Sequence, residues 1–186
     1  MNHKITSNTA LIVIDVQQGF NDPKWGQRNN LNAERNISNL ISIWRNKKRP
    51  VINIQHCSDE PDSPLRPNQP GVEFKQEALP IQGEKVFQKS VNSAFIGTDL
   101  ESYLRENGIE QIVITGLTTD HCVSTTTRMA GNLGFEVLLV SDATATFDRQ
   151  GPDGIENKAE EIFSVHLASL HGEFCDVVST ASLTTS

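Results

Sequence analysis

No apolar run in this sequence approaches the ~20 residues that a membrane-spanning helix requires, and the first one, ALIVI, stops at Asp15. No small-residue cleavage site follows an early hydrophobic region, which argues against a secretory signal. Cysteine is scarce. Cys57, Cys122 and Cys175 are too few and too scattered for a disulfide framework, so a reducing, cytoplasmic setting is expected. Basic charge is sparse as well: 16 Lys+Arg stand against 23 Asp+Glu, net −7, and RNKKR at 45–49 is the densest basic stretch. Nucleic-acid binding needs clustered basic charge and is disfavoured. No GxGxxG opens a helix after the first apolar run and there is no P-loop, which disfavours nucleotides. The histidines lack zinc-ligand spacing. His56 and His121 each adjoin a cysteine, but neighbouring side chains diverge; His166 and His171 lie five apart on a helical pattern and face different ways. No metal, no cofactor, no nucleic acid and no membrane is therefore expected as a partner, which leaves a small-molecule substrate.

What is present is an alternation of short apolar runs and amphipathic ones, without repeats. The 186 residues fit one domain, expected over 1–186. Residues 10–16, 50–55, 85–89, 111–115, 136–140 and 175–179 are rich in Val and Ile and read as strands. Several are continuously apolar, which suits strands covered on both faces. Helical patterns occupy 33–48, where Ile37, Leu40, Ile41 and Trp44 share a face, then 98–107, 121–133 and 158–171. The second of these opens on a Thr98-x-x-Glu101 capping box. The expected fold class is α/β: a doubly wound, mainly parallel sheet of about six strands with helices on both faces. Residues 56–84 break the alternation, carrying Pro61, Pro64, Pro67, Pro70 and Pro80 without periodicity. This segment reads as an ordered wall or lid beside a site, and residues 143–157 as a second loop on the same edge.

In such sheets ligands bind beyond the carboxyl ends of the strands. Three reactive residues fall there: Asp15 after the first strand, Lys89 after the third and Cys122 after the fourth. Asp15 interrupts LIVIDVQ, where a carboxylate loses hydration and needs a partner or a function. In IVITGLTTDHC (112–122) the thiol lies beyond the apolar run, at or near a helix start. Peptide dipoles and unpaired N–H groups there stabilise a thiolate and can hold an oxyanion. Cys57 and Cys175 read as small buried hydrophobes.

The order Asp, Lys, Cys at these strand ends resembles the isochorismatase-like cysteine hydrolases. The resemblance covers nearly the whole chain and is strongest in ALIVIDVQQGF, in residues 89–137 from KSVNSAF through TGLTTDHC, and in DATATF. It implies a catalytic trio of Asp15, Lys89 and Cys122. Cys122 would attack an amide-type carbonyl, Asp15 would carry the proton, and Lys89 would hold Asp15 and favour the thiolate. It implies an oxyanion hole from the backbone N–H groups of Thr118 and Cys122, a cis peptide between Leu117 and Thr118, and a homodimer or homotetramer. Nicotinamidases of this superfamily carry a metal-binding Asp-x-His after the second strand; here His56 and Ser58 occupy those places, so a metal-independent reaction is expected. Pocket contacts are expected from Phe20, Trp25, Phe95 and Phe147 on the apolar side and from His56, Arg66 and Ser93 on the polar side. The activity implied is hydrolysis of an amide, ureide or imide C–N bond through a thioester. The alternatives are vinyl-ether hydrolysis with Asp15 as the acid, or a catalytically silent binding scaffold. A phospho-accepting receiver domain fails, because it needs an Asp where Lys89 stands.

Overall fold

The computed structural model describes residues 5–184, so residues 1–4 and 185–186 of the expected domain lie outside the described residues. Six parallel strands form one sheet: β1 (Ala10–Ile14), β2 (Val51–His56), β3 (Lys85–Lys89), β4 (Gln111–Leu117), β5 (Glu136–Ala145) and β8 (Asp176–Val178). Their order is β3-β2-β1-β4-β5-β8. The chain steps outward from β1 to β3 and then returns to place β4 beside β1, so the order reverses between β1 and β4. That reversal opens a crevice at the carboxyl ends of the two central strands.

The strand sequences explain their position. Every residue of β1 and β4 is buried, because alternate side chains feed two cores. Ile12, Ile14, Ile52, Ile54 and Ile114 meet helices α2 (Leu100–Glu106) and α3 (Ser124–Asn132) on one face. Leu11, Val13 and Val113 meet Ile37, Leu40, Ile41 and Trp44 of α1 (Ala33–Asn46) on the other. Helix α4 (Ala159–Leu170) lies more openly, burying only Ala159 and Leu170. No helix among the described residues is long and apolar enough to cross a membrane.

The structure departs from the sequence expectation at several boundaries. No capping box forms at α2: Thr98 Oγ1 accepts from Leu100 N at 3.3 Å, while Glu101 pairs with Arg105 one turn on. The helical pattern at 121–133 divides into a π-turn, Thr119–Val123, and α3. Strand β5 continues through Ala145, beyond the expected end at 140, because Thr144 and Ala145 still pair with Gly116 and Leu117. The second loop contains a hairpin, β6 (Arg149–Gln150) with β7 (Glu156–Asn157). A short helix, α5 (Thr180–Thr184), closes the chain.

Residues 56–84 form a wall pinned at several points. Gln17 Nε2 donates to Val72 O at 2.9 Å, and Lys75 Nζ reaches Glu34 at 2.7 Å. Glu34 also binds Arg28 at 2.7 Å. Burial works against its charge, but these two cations hold the Glu34 carboxyl down at about 2. Arg45 closes the far end of the segment on Glu84.

Gly116 sets the approach of β4 to β1. Its φ is +125°, and a Cβ there would sit 2.0 Å from Ile14 O. Both objections are to backbone, which cannot swing aside. Gly116→Ala is expected to lower the unfolding free energy by about 2–4 kcal/mol, read as a shift of the urea midpoint at unchanged slope.

Candidate active site

Strand β1 ends by turning sharply: Asp15 has φ +51°, and Gln17 N donates back to Asp15 O at 2.9 Å. Aspartate tolerates this left-handed conformation better than most residues. The turn leaves the Asp15 side chain fully buried at the crevice. Lys89 comes from farther off, since β3 stands two strands away, about 10 Å in sheet spacing. A long side chain is what bridges that distance. Its Nζ lies 2.6 Å from Asp15 Oδ2 and 3.3 Å from Cys122 Sγ, with both ionic side chains closed to solvent. Cys122 is carried by the π-turn at the end of β4, 7% exposed. The Leu117–Thr118 peptide before it is cis. Asp15 Oδ1 accepts no hydrogen bond although buried, which leaves lone pairs open beside the thiol.

The electrostatics push Lys89 and Cys122 toward their protonated forms. Burial disfavours the Lys89 ammonium, but the Asp15 carboxylate and the Cys122 sulfur more than offset this and raise its pKa. Burial and the negative charge of Asp15 push the Cys122 thiol well up, against the pull of Lys89. The ammonium of Lys89 and the neutral thiol of Cys122 are thus the favoured forms. Lys89 favours the thiolate in the expected direction, but burial and Asp15 outweigh it.

An Asp15 oxygen, a His56 ring nitrogen and Cys122 Sγ lie within 4.8 Å of one another, a grouping that can converge on a cation. The cation it holds is Lys89, whose Nζ is also 3.0 Å from His56 Nδ1. The residues do not fit a metal there, because the ammonium already fills the point of convergence.

Above this floor opens a cavity of about 540 Å³. Phe20, Trp25 and Leu65 form its apolar side; His56, Asn92, Thr118, His121 and Arg149 are among its polar lining. Phe147 stands behind that wall, its ring 6.3 Å from Phe20 and 5.9 Å from Trp25. Three further expected pocket residues do not line the cavity either. Phe95 turns inward to stack on Phe135 at 6.0 Å, and Ser93 Oγ is buried against Met129 Sδ. Arg66 is directed along its own loop, donating to Pro61 O at 2.9 Å. Nearness in sequence to Lys89 misled for the first two, because the turn after β3 dives into the core.

Among the polar lining residues that the sequence reading missed are Arg149 and Asn92. Arg149 Nε binds Asp120 Oδ2 at 2.7 Å, and Thr146 donates to the same carboxylate. Burial would raise Asp120, but these bonds hold it far below the usual carboxylate range. The guanidinium is thereby fixed at the cavity wall. Asn92 Oδ1 lies 3.5 Å from Cys122 Sγ, on the open side of the thiol. The Asp120–His121–Cys122 run was the available signal: a carboxylate beside a candidate nucleophile needs a cation.

The isochorismatase domain model matches residues 9–166. Among curated proteins, an uncharacterized isochorismatase family protein, YrdC of Bacillus subtilis (strain 168), is 50% identical over 174 residues, 94% of this chain and 93% of its own. A protein named ureidoacrylate amidohydrolase, RutB of Enterobacter sp. (strain 638), is 33% identical over 58% of this chain and 46% of its own. Among solved structures, an isochorismatase-family protein from Chromobacterium violaceum ATCC 12472 is 44% identical with a TM-score of 0.93, covering 97% of this chain and 93% of that one. One titled cysteine hydrolase, from Pseudomonas syringae pv. phaseolicola 1448A, is 25% identical with a TM-score of 0.88, over 97% and 93%.

The charge arrangement has opposite consequences at its two poles. Alkylation of Cys122, followed by peptide mass spectrometry, is expected to have its pH midpoint above the ~8.5 of a free thiol. Asp15→Asn should lower that midpoint, because a negative neighbour is lost, and Lys89→Met should raise it.

Proposed function

The chain belongs to the isochorismatase family of hydrolases, and we propose that it is a metal-independent cysteine hydrolase cleaving a C–N bond of a small amide, ureide or imide. One observation carries this reading: a buried ammonium lies within bonding distance of both a carboxylate and a thiol. That arrangement suits a proton passing between acid and sulfur while the charge nearby stays balanced.

As the Cys122 sulfur attacks the substrate carbonyl, the S–H proton goes to Asp15, whose Oδ1 is otherwise unpartnered. The S–C bond forms and the carbonyl electron pair moves onto oxygen. Backbone N–H groups of Thr118 and Cys122 receive that oxyanion. Collapse re-forms the C=O and breaks the C–N bond, and Asp15 returns its proton to the departing nitrogen. A thioester remains on Cys122. Water then gives a proton to Asp15 and attacks; the C–S bond breaks, the acid departs and the thiol recovers its proton. Lys89 stays an ammonium throughout and offsets charge on the sulfur whenever it develops. Asn92 and Arg149 face the substrate from the wall, and Phe20 and Trp25 pack its apolar part. The relatives named amidohydrolase and cysteine hydrolase support this assignment.

In a screen of small amides, ureides and imides by ammonia or amine release, Cys122→Ala is expected to lose about 10³-fold or more in kcat/KM while remaining folded. Acid-quenched wild type should carry the substrate's acyl mass on the Cys122 peptide. If Cys122→Ala kept its turnover of such a substrate, the nucleophile assignment would fall; if only a vinyl ether were cleaved, by Cys122→Ala but not by Asp15→Asn, the chemistry would be acid-catalysed vinyl-ether cleavage.

A further inference from the structure

Lys89 reaches Asp15 only by crossing β2, and the residue it crosses is His56. The two are register partners across β2 and β3, and His56 is the last residue of its strand. Its backbone is held on both sides by one buried side chain: His56 N donates to Gln17 Oε1 at 2.8 Å, and Gln17 Nε2 donates to His56 O at 2.9 Å. The ring is thus placed on a rigid element, half-buried, on the cavity lining.

An ammonium has three hydrogens and no lone pair. Three acceptors surround Lys89 Nζ: Asp15 Oδ2 at 2.6 Å, His56 Nδ1 at 3.0 Å and Cys122 Sγ at 3.3 Å. Because Lys89 can only donate, His56 Nδ1 must accept. The imidazole is then neutral with its hydrogen on Nε2.

We propose that His56 is a positioning residue: its neutral imidazole takes the third hydrogen of the Lys89 ammonium and so holds that cation against Asp15 and Cys122, and its protonation releases the lysine and disarms the site. The groups facing it are Lys89 from β3, Asp15 from β1, Cys122 from the turn after β4, and Asp59 and Glu60 from the segment after β2, with Cys57 its chain neighbour. Burial and then Lys89 hold the imidazole below its ordinary 6.5, against the pull of the three carboxylates. It therefore stays neutral at pH 7. Below its midpoint an imidazolium N–H would face an ammonium N–H, which removes the bond and adds repulsion. The catalytic consequence rests on Cys122 being the nucleophile; the geometry does not, and can be measured without turnover.

The first measurement is NMR of the full chain labelled with ¹⁵N-histidine. His56 should show the Nε2–H tautomer and titrate below 6.5, and Lys89→Met should raise its midpoint and erase the tautomer preference. The second is the rate at which methyl methanethiolsulfonate modifies Cys122 as a function of pH. Below the His56 midpoint the wild-type rate should fall more steeply than the tenfold per pH unit of thiol ionisation alone, about 100-fold per unit. His56→Asn, which offers an acceptor oxygen near the position of Nδ1 and has no proton to gain, should lose the extra steepness and react faster at pH 8 than His56→Leu. His56→Leu should be slower by about tenfold or more. A His56 that titrates near 6.5 with mixed tautomers in wild type and Lys89→Met alike would overturn the proposal, as would a His56→Leu variant that reacts like wild type. Were Cys122→Ala active while the NMR result held, the nucleophile reading alone would fail.

Discussion

The site depends on one ion pair with no access to water, Lys89 with Asp15 at 2.6 Å, both side chains fully closed off. Removing two charges from solvent costs several kcal/mol per ion, so the pair persists only if its remaining hydrogen-bonding capacity is used. The surrounding architecture supplies that for the ammonium, while Asp15 Oδ1 is left open for the reaction. Strand β3 contributes the lysine, β2 the imidazole that it crosses, β1 the carboxylate, and the π-turn after β4 the sulfur. Four consecutive sheet positions thus meet at one nitrogen atom, which requires the parallel register and the reversal of order between β1 and β4. Gly116 enters the same account, since the closeness of β4 to β1 at that point leaves no room for a side chain.

The same burial decides the state of the nucleophile. A cysteine near a helix start beside a lysine would ordinarily be expected to ionise early. Here the carboxylate that must later accept its proton also repels the thiolate, and the low-dielectric surroundings amplify that effect. The sulfur is consequently neutral until a carbonyl is in place to take its electrons. A neutral resting thiol resists adventitious alkylation and oxidation, both of which proceed through the thiolate. The cost is that the proton must move as the S–C bond forms, which fits the unpartnered Oδ1 of Asp15.

How much of this could be read from the sequence follows from where each residue stands. Asp15, Lys89 and Cys122 were legible because each ends an apolar run, and the ends of parallel strands share one edge. The six strands and the helices α1 and α4 were legible from periodicity, to within a few residues. The wall was not. Phe95 and Ser93 follow Lys89 closely, yet the intervening turn points them into the core beside α3. Arg149 lies on a two-residue strand of a hairpin with no periodic pattern, and its partner Asp120 is 29 positions away. His56 could be assigned to the pocket, but not to Lys89, because that contact depends on the register of β2 against β3. Pattern reveals which elements exist; pairing between them decides which side chains meet.

Chemistry and selectivity are accordingly carried by different parts of the chain, joined at Asp120. The reacting groups sit on strand ends and on the turn that β4 delivers. The cavity wall comes from Phe20 and Trp25 after β1, from residues 56–84 and from the segment that follows β5, the last two tied down by ion pairs and side-chain bonds. Asp120 belongs to the turn that carries Cys122 and grips Arg149 on the hairpin, so the wall is registered to the nucleophile by a charge pair. Its carboxylate is held far below its ordinary range, so mild acid leaves this tie in place. His56 on the floor is held differently, by a bond that one proton breaks. A fall in pH therefore acts on the alignment of the ammonium before it disturbs the shape of the pocket. Under the proposal for His56, loss of reactivity in mild acid is disarming of the floor while the Asp120–Arg149 tie in the wall persists.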